Sequence, residues 1–374
     1  MAEALLDQSN TIEGTHQTFR TIVETGGLNK LPQYLDEIGL SDGQAFVITD
    51  TNVERCYGDR VSESLNAAGI HAETLVIAAN ESNKTLGRAR QLIEELAARK
   101  ANSDDTILAL GGGVVGDLAG FSASIYHSGM PLVQLPTTLL AMVDSSIGGK
   151  TAVDHGGKNK IGTFYHPKLV VADPSVLLTL DRRVYTEGLG EVARYAALDE
   201  RFFGELEYDA RKVRELSPFS YSAVCRIIAR CVKQKSDIVV ADPEERSIDD
   251  GRVLLNYGHT LAHGLEAAGD YTELLHGEGV SIGMTYAAQL AVRLGIAEQS
   301  FAERQTGLLR SLGLPIRYEG KADIEDIMRY IARDKKNTSL DNTRFVLPES
   351  VGHMTVRLVD NDIVRSTVSE FLAG

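Results

Sequence analysis

The first half of the chain alternates short apolar runs with stretches of helical periodicity. The apolar runs predict five strands, at residues 45–50, 74–77, 106–110, 132–135 and 169–172. After the second of these strands, apolar side chains recur at helical spacing from Leu86 to Leu96, which predicts an amphipathic helix. Strands that alternate with helices predict βαβ units and a parallel sheet.

From about residue 185 onward, long helical patterns dominate. They predict helices at residues 185–198, 218–241, 251–268, 277–295, 300–312 and 323–333. We therefore predict an α/β N-terminal Rossmann-like parallel-sheet domain over residues 1–180 and a mostly α-helical domain over residues 181–374. Ligands of such sheets bind at the carboxyl ends of strands. The segments 111–117 and 137–138 both follow strands, so we expect them to converge on a cleft between the domains.

Composition excludes several classes of protein. The 374 residues carry a net charge of −14 and a pI near 5.2, which argues against nucleic acid or an anionic membrane as the main partner. The three cysteines, Cys56, Cys225 and Cys231, lack CxxC spacing and indicate reduced thiols. The chain begins without a signal-peptide pattern and has no apolar run of 18 residues, so we expect a cytoplasmic protein.

Two segments have the composition of a ligand-binding backbone. Residues 111–117, Gly-Gly-Gly-Val-Val-Gly-Asp, lie between a predicted strand and a predicted helix, where glycines let the backbone approach a pyrophosphate. A tight strand–helix turn would use the same residues. Residues 136–151 mix small residues, hydroxyls, one carboxylate and Lys150 without a clear period. Asp50, at the end of a strand, suits either a ribose contact or a helix cap.

A second group of residues has the chemistry of a metal site. Asn256, His259 and His263 are predicted to share one helical face, since they lie at positions i, i+3 and i+7. Paired helical histidines can also be purely structural. Farther along the chain, His276 adds an imidazole in a glycine-flanked turn, and Glu191, earlier in the chain, adds a carboxylate. One carboxylate and two imidazoles form the ligand set of a catalytic zinc. The large separation in sequence leaves this set a hypothesis.

Cations accompany these motifs in spite of the acidic composition. They are Lys150, Lys158, Arg194, Lys235, Arg252, Lys335 and Lys336. Some of them suit a solvated surface equally well. Beside a metal, so many cations favour a substrate with at least two anionic groups.

Together these residues resemble the 3-dehydroquinate synthases, which are sugar-phosphate cyclases. The resemblance runs from about residue 18 to residue 350. It is carried by Glu81-Ser82-Asn83-Lys84, residues 111–120, residues 136–151, Gly157-Lys158-Asn159, Gly190-Glu191-Val192, residues 254–260, His276-Gly277-Glu278 and Arg333-Asp334-Lys335-Lys336. It implies a dehydroquinate synthase-like fold, with an NAD-binding first domain and a helical metal- and substrate-binding second domain.

The resemblance also implies the site residues. Zn²⁺, or alternatively Co²⁺, would be bound by Glu191, His259 and His276. NAD⁺ would contact Asp50, Asn52, Glu81, Lys84, Gly112, Gly113, Asp117, Thr137, Thr138, Asp144, Ser145, Lys150, Lys158 and Thr179. Catalysis and substrate binding would fall to Lys150, Lys158, Asn159, Arg194, Lys235, Arg252, Asn256, His263, Lys335 and Lys336. Among these, His263 would shuttle a proton, and Lys235 with Arg252 would hold a carboxylate.

The activity implied is the conversion of 3-deoxy-D-arabino-heptulosonate 7-phosphate to 3-dehydroquinate and phosphate. It proceeds by transient oxidation by NAD⁺, phosphate elimination, reduction and an intramolecular aldol closure. NAD⁺ is regenerated in each turnover, so the enzyme is a lyase of the shikimate pathway to aromatic amino acids. The resemblance further implies a cytoplasmic homodimer whose partner is a small phosphorylated, carboxylated sugar, with no nucleic acid or membrane.

Two departures from the family pattern bear on the substrate. Tyr126-His127-Ser128-Gly129 stands where the family usually has Tyr-x-Arg-Gly, with an arginine that helps to bind phosphate across a dimer interface. Arg194 replaces a lysine, and its longer fork is expected to reach a phosphate oxygen instead. An aminodehydroquinate synthase or another sugar-phosphate cyclase is therefore an alternative. A metal-dependent polyol dehydrogenase, which would release NADH, is a further one.

Overall fold

The computed structural model describes residues 4–12, 17–217, 220–332 and 341–373. The chain separates into two compact units. The first comprises Met1–Asp181 with Ile228–Ala241, and the second comprises Arg182–Ile227 with Asp242–Gly374. Compact units are not by themselves folding domains, so the division at residue 180 stays a prediction.

The first unit is built on a seven-stranded sheet. Its elements are β1 (Leu6–Thr11), β2 (Thr18–Val23), α1 (Leu31–Glu37), β3 (Ala45–Asp50), α2 (Thr51–Val53), α3 (Asp59–Ala67), β4 (Ala72–Ile77), α4 (Leu86–Ala98), β5 (Thr106–Gly111), α5 (Gly113–Ile125), β6 (Leu132–Pro136), β7 (Lys150–Val153), β8 (Ile161–Phe164) and β9 (Leu169–Ala172). The strand order is β1-β2-β9-β6-β5-β3-β4, and β7 and β8 form a separate hairpin.

The five predicted strands are all present and pair in parallel. Strands β5, β6 and β9 are buried along their whole length, which is why they appear in the sequence as continuous apolar runs. The antiparallel β1–β2 hairpin at the sheet edge was not predicted. Its outer strand is mostly polar, so it lacks the apolar run that marks the central strands.

The order in which the chain adds strands to the sheet reverses between β3 and β5. The chain runs outward from β3 to β4 and then returns across β3 to form β5. Ligands of open parallel sheets bind at such a switch point, beyond the carboxyl ends of the strands. Asp50 ends β3, Gly111 ends β5 and Pro136 ends β6, so the glycine-rich turn and the Thr137-Thr138 segment lie at the same sheet edge.

The second unit is mostly helical. Its elements are α6 (Arg182–Ala197), α7 (Glu200–Glu215), the first turns of α8 (Tyr221–Ala241), α9 (His259–Ala268), α10 (His276–Arg293), α11 (Gln299–Ser311), α12 (Ile324–Ala332), β10 (Asn342–Ser350), β11 (His353–Asp360) and α13 (Asn361–Ala373). Helices α7 and α13 and the β10–β11 hairpin were not predicted. For α7 the signal was available, because Phe202, Leu206, Ala210 and Val213 recur at helical spacing and are buried.

The single helix predicted over residues 251–268 is wrong. A 3₁₀ helix over Gly251–Asn256 is followed by a break at Tyr257 and Gly258, and α9 begins at His259. Gly258 has a φ of +80°, and a Cβ there would lie 2.8 Å from the Val280 carbonyl oxygen. Asn256 therefore does not share a helical face with His259 and His263.

Helices α6, α9 and α10 approach one another at backbone distance. A Cβ on Gly190 of α6 would lie 2.3 Å from the Gly277 carbonyl oxygen of α10. A Cβ on Gly283 of α10 would lie 1.9 Å from the Gly258 carbonyl oxygen, immediately before α9. Only glycine fits at these crossings, which bring the starts of α9 and α10 next to the middle of α6.

No helix in the described ranges is long and apolar enough to cross a membrane.

We expect Gly283→Ala to destabilise the protein by at least about 2 kcal/mol, because the new methyl group overlaps a backbone carbonyl that cannot rotate away. Gly307→Ala is the matched control, since Gly307 is an exposed residue of α11 with no atom within 4 Å of an added Cβ. That control should stabilise the protein by about 0.5–1 kcal/mol through helix propensity. Urea unfolding measures both changes. Equal stability of the two variants would show that the helices are not in backbone contact at Gly283.

Candidate functional site

Three metal-ligating side chains meet where α6, α9 and α10 come together. Glu191 lies within α6, whereas His259 and His276 are the first residues of α9 and α10. One ligand atom from each residue lies within 4.8 Å of the other two. Helix packing therefore brings together residues that are far apart in the sequence.

The distances from Glu191 to the two imidazoles are those between neighbouring ligands of a tetrahedral ion. Glu191 Oε1 lies 3.4 Å from His259 Nε2 and 3.3 Å from His276 Nε2. Metal–ligand bonds of about 2.05 Å separate neighbouring ligands of a tetrahedral zinc by about 3.3–3.4 Å. Three protein ligands would leave a coordination position open, as in catalytic zinc sites.

Glu191 is fully buried, and its two oxygens differ. Oε2 accepts a hydrogen bond of 2.5 Å from Arg194 Nε. Oε1 has no partner with hydrogen-bond geometry among the described residues, so it is an acceptor directed at the space between the imidazoles. Burial alone would raise the pKa of Glu191, but Arg194 and the two imidazoles bring it well below its usual value. The group is therefore a carboxylate, as a metal ligand must be.

Both histidines present Nε2 to Glu191, because Nδ1 has another partner. His259 Nδ1 lies 3.1 Å from the Tyr257 carbonyl oxygen, and His276 Nδ1 lies 2.7 Å from Glu266 Oε1. Burial lowers the pKa of His259 to about 4, so the ring is neutral at pH 7 and its Nε2 lone pair can bind a metal. The donors present thus suit zinc or a similar divalent ion.

His263 lies one turn after His259 on α9, beside the three ligands. Its ring centroid is 5.4 Å from that of His259 and 6.0 Å from that of His276. Of the two histidines on α9, His259 therefore belongs to the candidate ligand group and His263 lies next to it. A neighbouring imidazole is suited to exchange a proton with a molecule held at the ligands.

In the first unit, the glycine-rich turn forms a cradle against the Thr137-Thr138 segment. Gly112 caps the start of α5, and a Cβ there would lie 2.9 Å from Thr138 Cγ2. A Cβ on Gly113 would lie 3.2 Å from Ser145 Oγ. The buried Thr137 Oγ1 has no hydrogen-bond partner among the described residues. Free amides at the helix start and an unpaired hydroxyl fit the phosphates of a nucleotide.

Lys84 connects two of the predicted binding segments. Its Nζ lies 2.5 Å from Asp117 Oδ2 on α5 and donates a 2.6 Å hydrogen bond to Asn159 Oδ1. Burial raises the pKa of Asp117, and the Lys84 ammonium offsets part of that rise. Lys158, the neighbour of Asn159, is half-buried, whereas Lys150 at the start of β7 is exposed.

Other predicted cofactor residues have local roles in the structure. Asp50 Oδ1 accepts hydrogen bonds from the amides of Asn52 and Val53 at 2.8 and 3.1 Å, which is the helix cap considered above. The Thr179 hydroxyl is 2.8 Å from the Tyr57 hydroxyl. Glu81 begins an exposed 3₁₀ turn.

Lys235 lies in the part of α8 that belongs to the first unit, where it is buried against Asp144. Its Nζ donates to the Asp144 carbonyl oxygen at 2.6 Å and to Asp144 Oδ1 at 2.9 Å. Asp144 itself lies in a short π-helix, a distortion found frequently at functional sites. The predicted cofactor residue and the predicted carboxylate-binding residue are thus in direct contact.

The 3₁₀ helix that precedes α9 holds two more of the predicted substrate residues, Arg252 and Asn256. The buried Arg252 donates from Nη1 to the Pro243 carbonyl oxygen at 2.7 Å, and its amide donates to Asp242 Oδ2 at 3.2 Å. Asn256 Nδ2 donates to Glu245 Oε1 at 3.0 Å. Lys335 and Lys336 lie outside the described residues.

Sequence reasoning missed Glu245 and Glu266, which contact predicted site residues. For Glu266 a signal existed, because it follows His259 by seven residues and therefore lies on the same face of α9. For Glu245 none did, since it lies in an irregular loop. At the first departure from the family pattern, Ser128 is exposed, and both His127 and Ser128 have left-handed φ angles of 50° and 63°.

Comparison with known proteins shows the family of the chain. Residues 74–187 match the family model of the 3-dehydroquinate synthase N-terminal region, and residues 188–337 match the C-terminal one. The 3-dehydroquinate synthase of Cyanothece sp. is 38% identical over 347 residues, which cover 91% of this chain and 92% of the relative.

Solved sugar-phosphate cyclases share the fold. A 2-deoxy-scyllo-inosose synthase complexed with carbaglucose-6-phosphate, NAD⁺ and Co²⁺ is 25% identical with a TM-score of 0.87, covering 98% of this chain and 100% of its own. The 2-epi-5-epi-valiolone synthase of Streptomyces hygroscopicus, with NAD⁺ and Zn²⁺ bound, is 26% identical with a TM-score of 0.84, covering 96% and 97%. A glycerol dehydrogenase from Schizosaccharomyces pombe, 16% identical with a TM-score of 0.66 and covering 93% and 87%, shares the fold alone. The chain belongs to the 3-dehydroquinate synthase family.

Proposed function

We propose that this chain converts 3-deoxy-D-arabino-heptulosonate 7-phosphate to 3-dehydroquinate and phosphate, using NAD⁺ and a divalent metal. The observation that carries the proposal is the convergence of Glu191, His259 and His276 in a member of this family, with Glu191 Oε1 at 3.3–3.4 Å from both imidazole Nε2 atoms. Zn²⁺ is the native metal in this proposal, and Co²⁺ can replace it, because both accept a carboxylate with two imidazoles.

The chemistry divides between the bound groups and the side chains. When bound, the ion would acidify a substrate hydroxyl, and NAD⁺ would take up and return a hydride. His263, beside the ligands, would exchange a proton with the substrate. Thr137 and the glycine turn at the start of α5 would bind the nucleotide phosphates.

The remaining cations would bind the two anionic groups of the substrate. Lys235 and Arg252 are both buried, and a buried cation interacts strongly with a carboxylate. Lys150 and the Lys335-Lys336 pair are the predicted phosphate contacts, and Lys158 and Asn159 are further predicted substrate contacts. The phosphate contact of Arg194 also stays a prediction, although its hydrogen bond to Glu191 supports a role at the metal ligand.

The aminodehydroquinate-type alternative rests on Ser128 and Arg194, the two departures from the family pattern. Turnover of the oxygen and nitrogen forms of the substrate, compared side by side, distinguishes it from the main proposal. The homodimer and the cytoplasmic location stay predictions.

We expect the purified protein to bind one divalent ion per chain and to lose activity on chelation. Added Zn²⁺ or Co²⁺ should restore it. His276→Ala should weaken metal binding by more than about 100-fold, since a ligand is lost. His71→Ala is the control, because its side chain is 70% exposed and lies in the first unit. Metal analysis and phosphate release measure both properties. Unchanged metal content in His276→Ala would refute the assignment of this ligand.

Turnover should release phosphate without accumulating NADH. The hydride taken up in the first step is returned in a later one, so absorbance at 340 nm should stay flat while phosphate rises. A simultaneous assay of phosphate and absorbance checks this. One NADH formed per substrate consumed would instead identify a polyol dehydrogenase.

Arg252→Ala should reduce kcat/KM by about 30-fold to several thousand-fold, as expected when one partner of a desolvated charge pair is removed. Arg201→Ala is the control, because the Arg201 side chain is 81% exposed and pairs with Glu205 on the same helix. Steady-state kinetics with the heptulosonate decide the matter. The role is wrong if wild-type protein turns over an analogue without the carboxylate as fast as the parent compound.

A further inference from the structure

We propose that Glu266 is a positioning residue that fixes the proton of His276 and aims its Nε2 at the metal. The proposal rests on the metal site described under the proposed function. Glu266 belongs neither to the segments that carry the family resemblance nor to the candidate ligand group of Glu191, His259 and His276. The geometry that carries it is a short contact between a buried carboxylate and the nitrogen of His276 that faces away from Glu191.

Glu266 is only 2% exposed and lies on α9, whereas His276 begins α10. Its Oε1 is 2.7 Å from His276 Nδ1, a distance typical of a charge-assisted hydrogen bond. Helix α9 thus supplies His259 at its first residue and Glu266 two turns later. One rigid element therefore positions one ligand directly and the other through a hydrogen bond.

The contact determines which nitrogen can bind a metal. A carboxylate offers only acceptors, so His276 donates its Nδ1 proton to Glu266, and Nε2 is the ring nitrogen left for a metal. Nε2 faces Glu191 Oε1, 3.3 Å away, on the side where an ion would bind both atoms. Without Glu266, the neutral ring can place its proton on Nε2, and an Nε2–H imidazole cannot bind a metal through that atom.

The other two ligands are oriented by different means. His259 Nδ1 faces a backbone carbonyl, which is neutral, and Glu191 Oε2 faces the Arg194 guanidinium, which draws charge away from the ligand. Glu266 is the only anionic partner among these three contacts. Its charge makes His276 a stronger donor, in the way that carboxylate–histidine–metal arrangements generally act.

The test is Co²⁺ binding to metal-free wild type, Glu266→Gln and Glu187→Gln, followed by the visible absorption of the bound ion. Glu187 is the matched control, since this buried carboxylate of α6 accepts a 2.9 Å hydrogen bond from a backbone amide, that of Gly277 beside His276. We expect Glu266→Gln to weaken Co²⁺ binding by about 10–100-fold and to change its spectrum. Glu187→Gln should stay within about threefold of wild type with an unchanged spectrum.

The possible outcomes distinguish a failure of the metal site from a failure of the role of Glu266. If wild type binds no Co²⁺, the metal site itself is wrong and Glu266 loses its role with it. If wild type binds Co²⁺ and Glu266→Gln matches it in affinity and spectrum, only the role of Glu266 is wrong. Equal weakening in both variants would likewise overturn it, since the effect would then be general to buried carboxylates at this helix start.

A measurement on wild type covers the case in which Glu266→Gln does not fold. In metal-free protein labelled with ¹⁵N-histidine, nitrogen chemical shifts identify the protonated ring atom, and the His276 signals are assigned by their absence from His276→Gln. We expect Nδ1 to carry a proton, with or without a second proton on Nε2 next to Glu191. An Nδ1 without a proton would overturn the proposal.

Discussion

The close approach of α6, α9 and α10 is the constraint on which the candidate metal site depends. Gly190, Gly277 and Gly283 let these helices meet at backbone distance, where any larger residue would overlap a carbonyl oxygen. Glu191 is thereby placed beside two imidazoles that start neighbouring helices. A wider separation of these helices would move the three side chains apart, so packing and the candidate site depend on the same glycines.

Burying a carboxylate among these helices is unfavourable unless its charge is compensated. Arg194 supplies that compensation on one oxygen of Glu191, and the other oxygen is left without a hydrogen bond in the described part of the chain. A divalent ion would satisfy the second oxygen and both imidazoles together. Arg194 is itself buried, with its guanidinium directed at the candidate ligand Glu191, and its contact with the substrate stays a prediction.

Sequence alone predicted the parts of the fold whose burial leaves a pattern. The central strands were found because both of their faces are buried, and helices such as α11 and α12 because one face is apolar. The edge strand β1, the break at Tyr257-Gly258 and the contact of Glu266 with His276 were not. Each of these features depends on which element packs next to it. The residues of that neighbouring element lie elsewhere in the chain, so the local sequence pattern does not show the packing. The ligands Glu191, His259 and His276 were proposed from their chemistry and from family resemblance, whereas their spacing required the fold.

The most direct test of the proposed metal centre is the anomalous X-ray scattering of a crystal grown with Zn²⁺. We expect one strong peak within about 2.0–2.2 Å of Glu191 Oε1, His259 Nε2 and His276 Nε2, with Arg194 still bonded to Glu191 Oε2. A peak elsewhere, or an ion that binds without any one of these three residues, would contradict it.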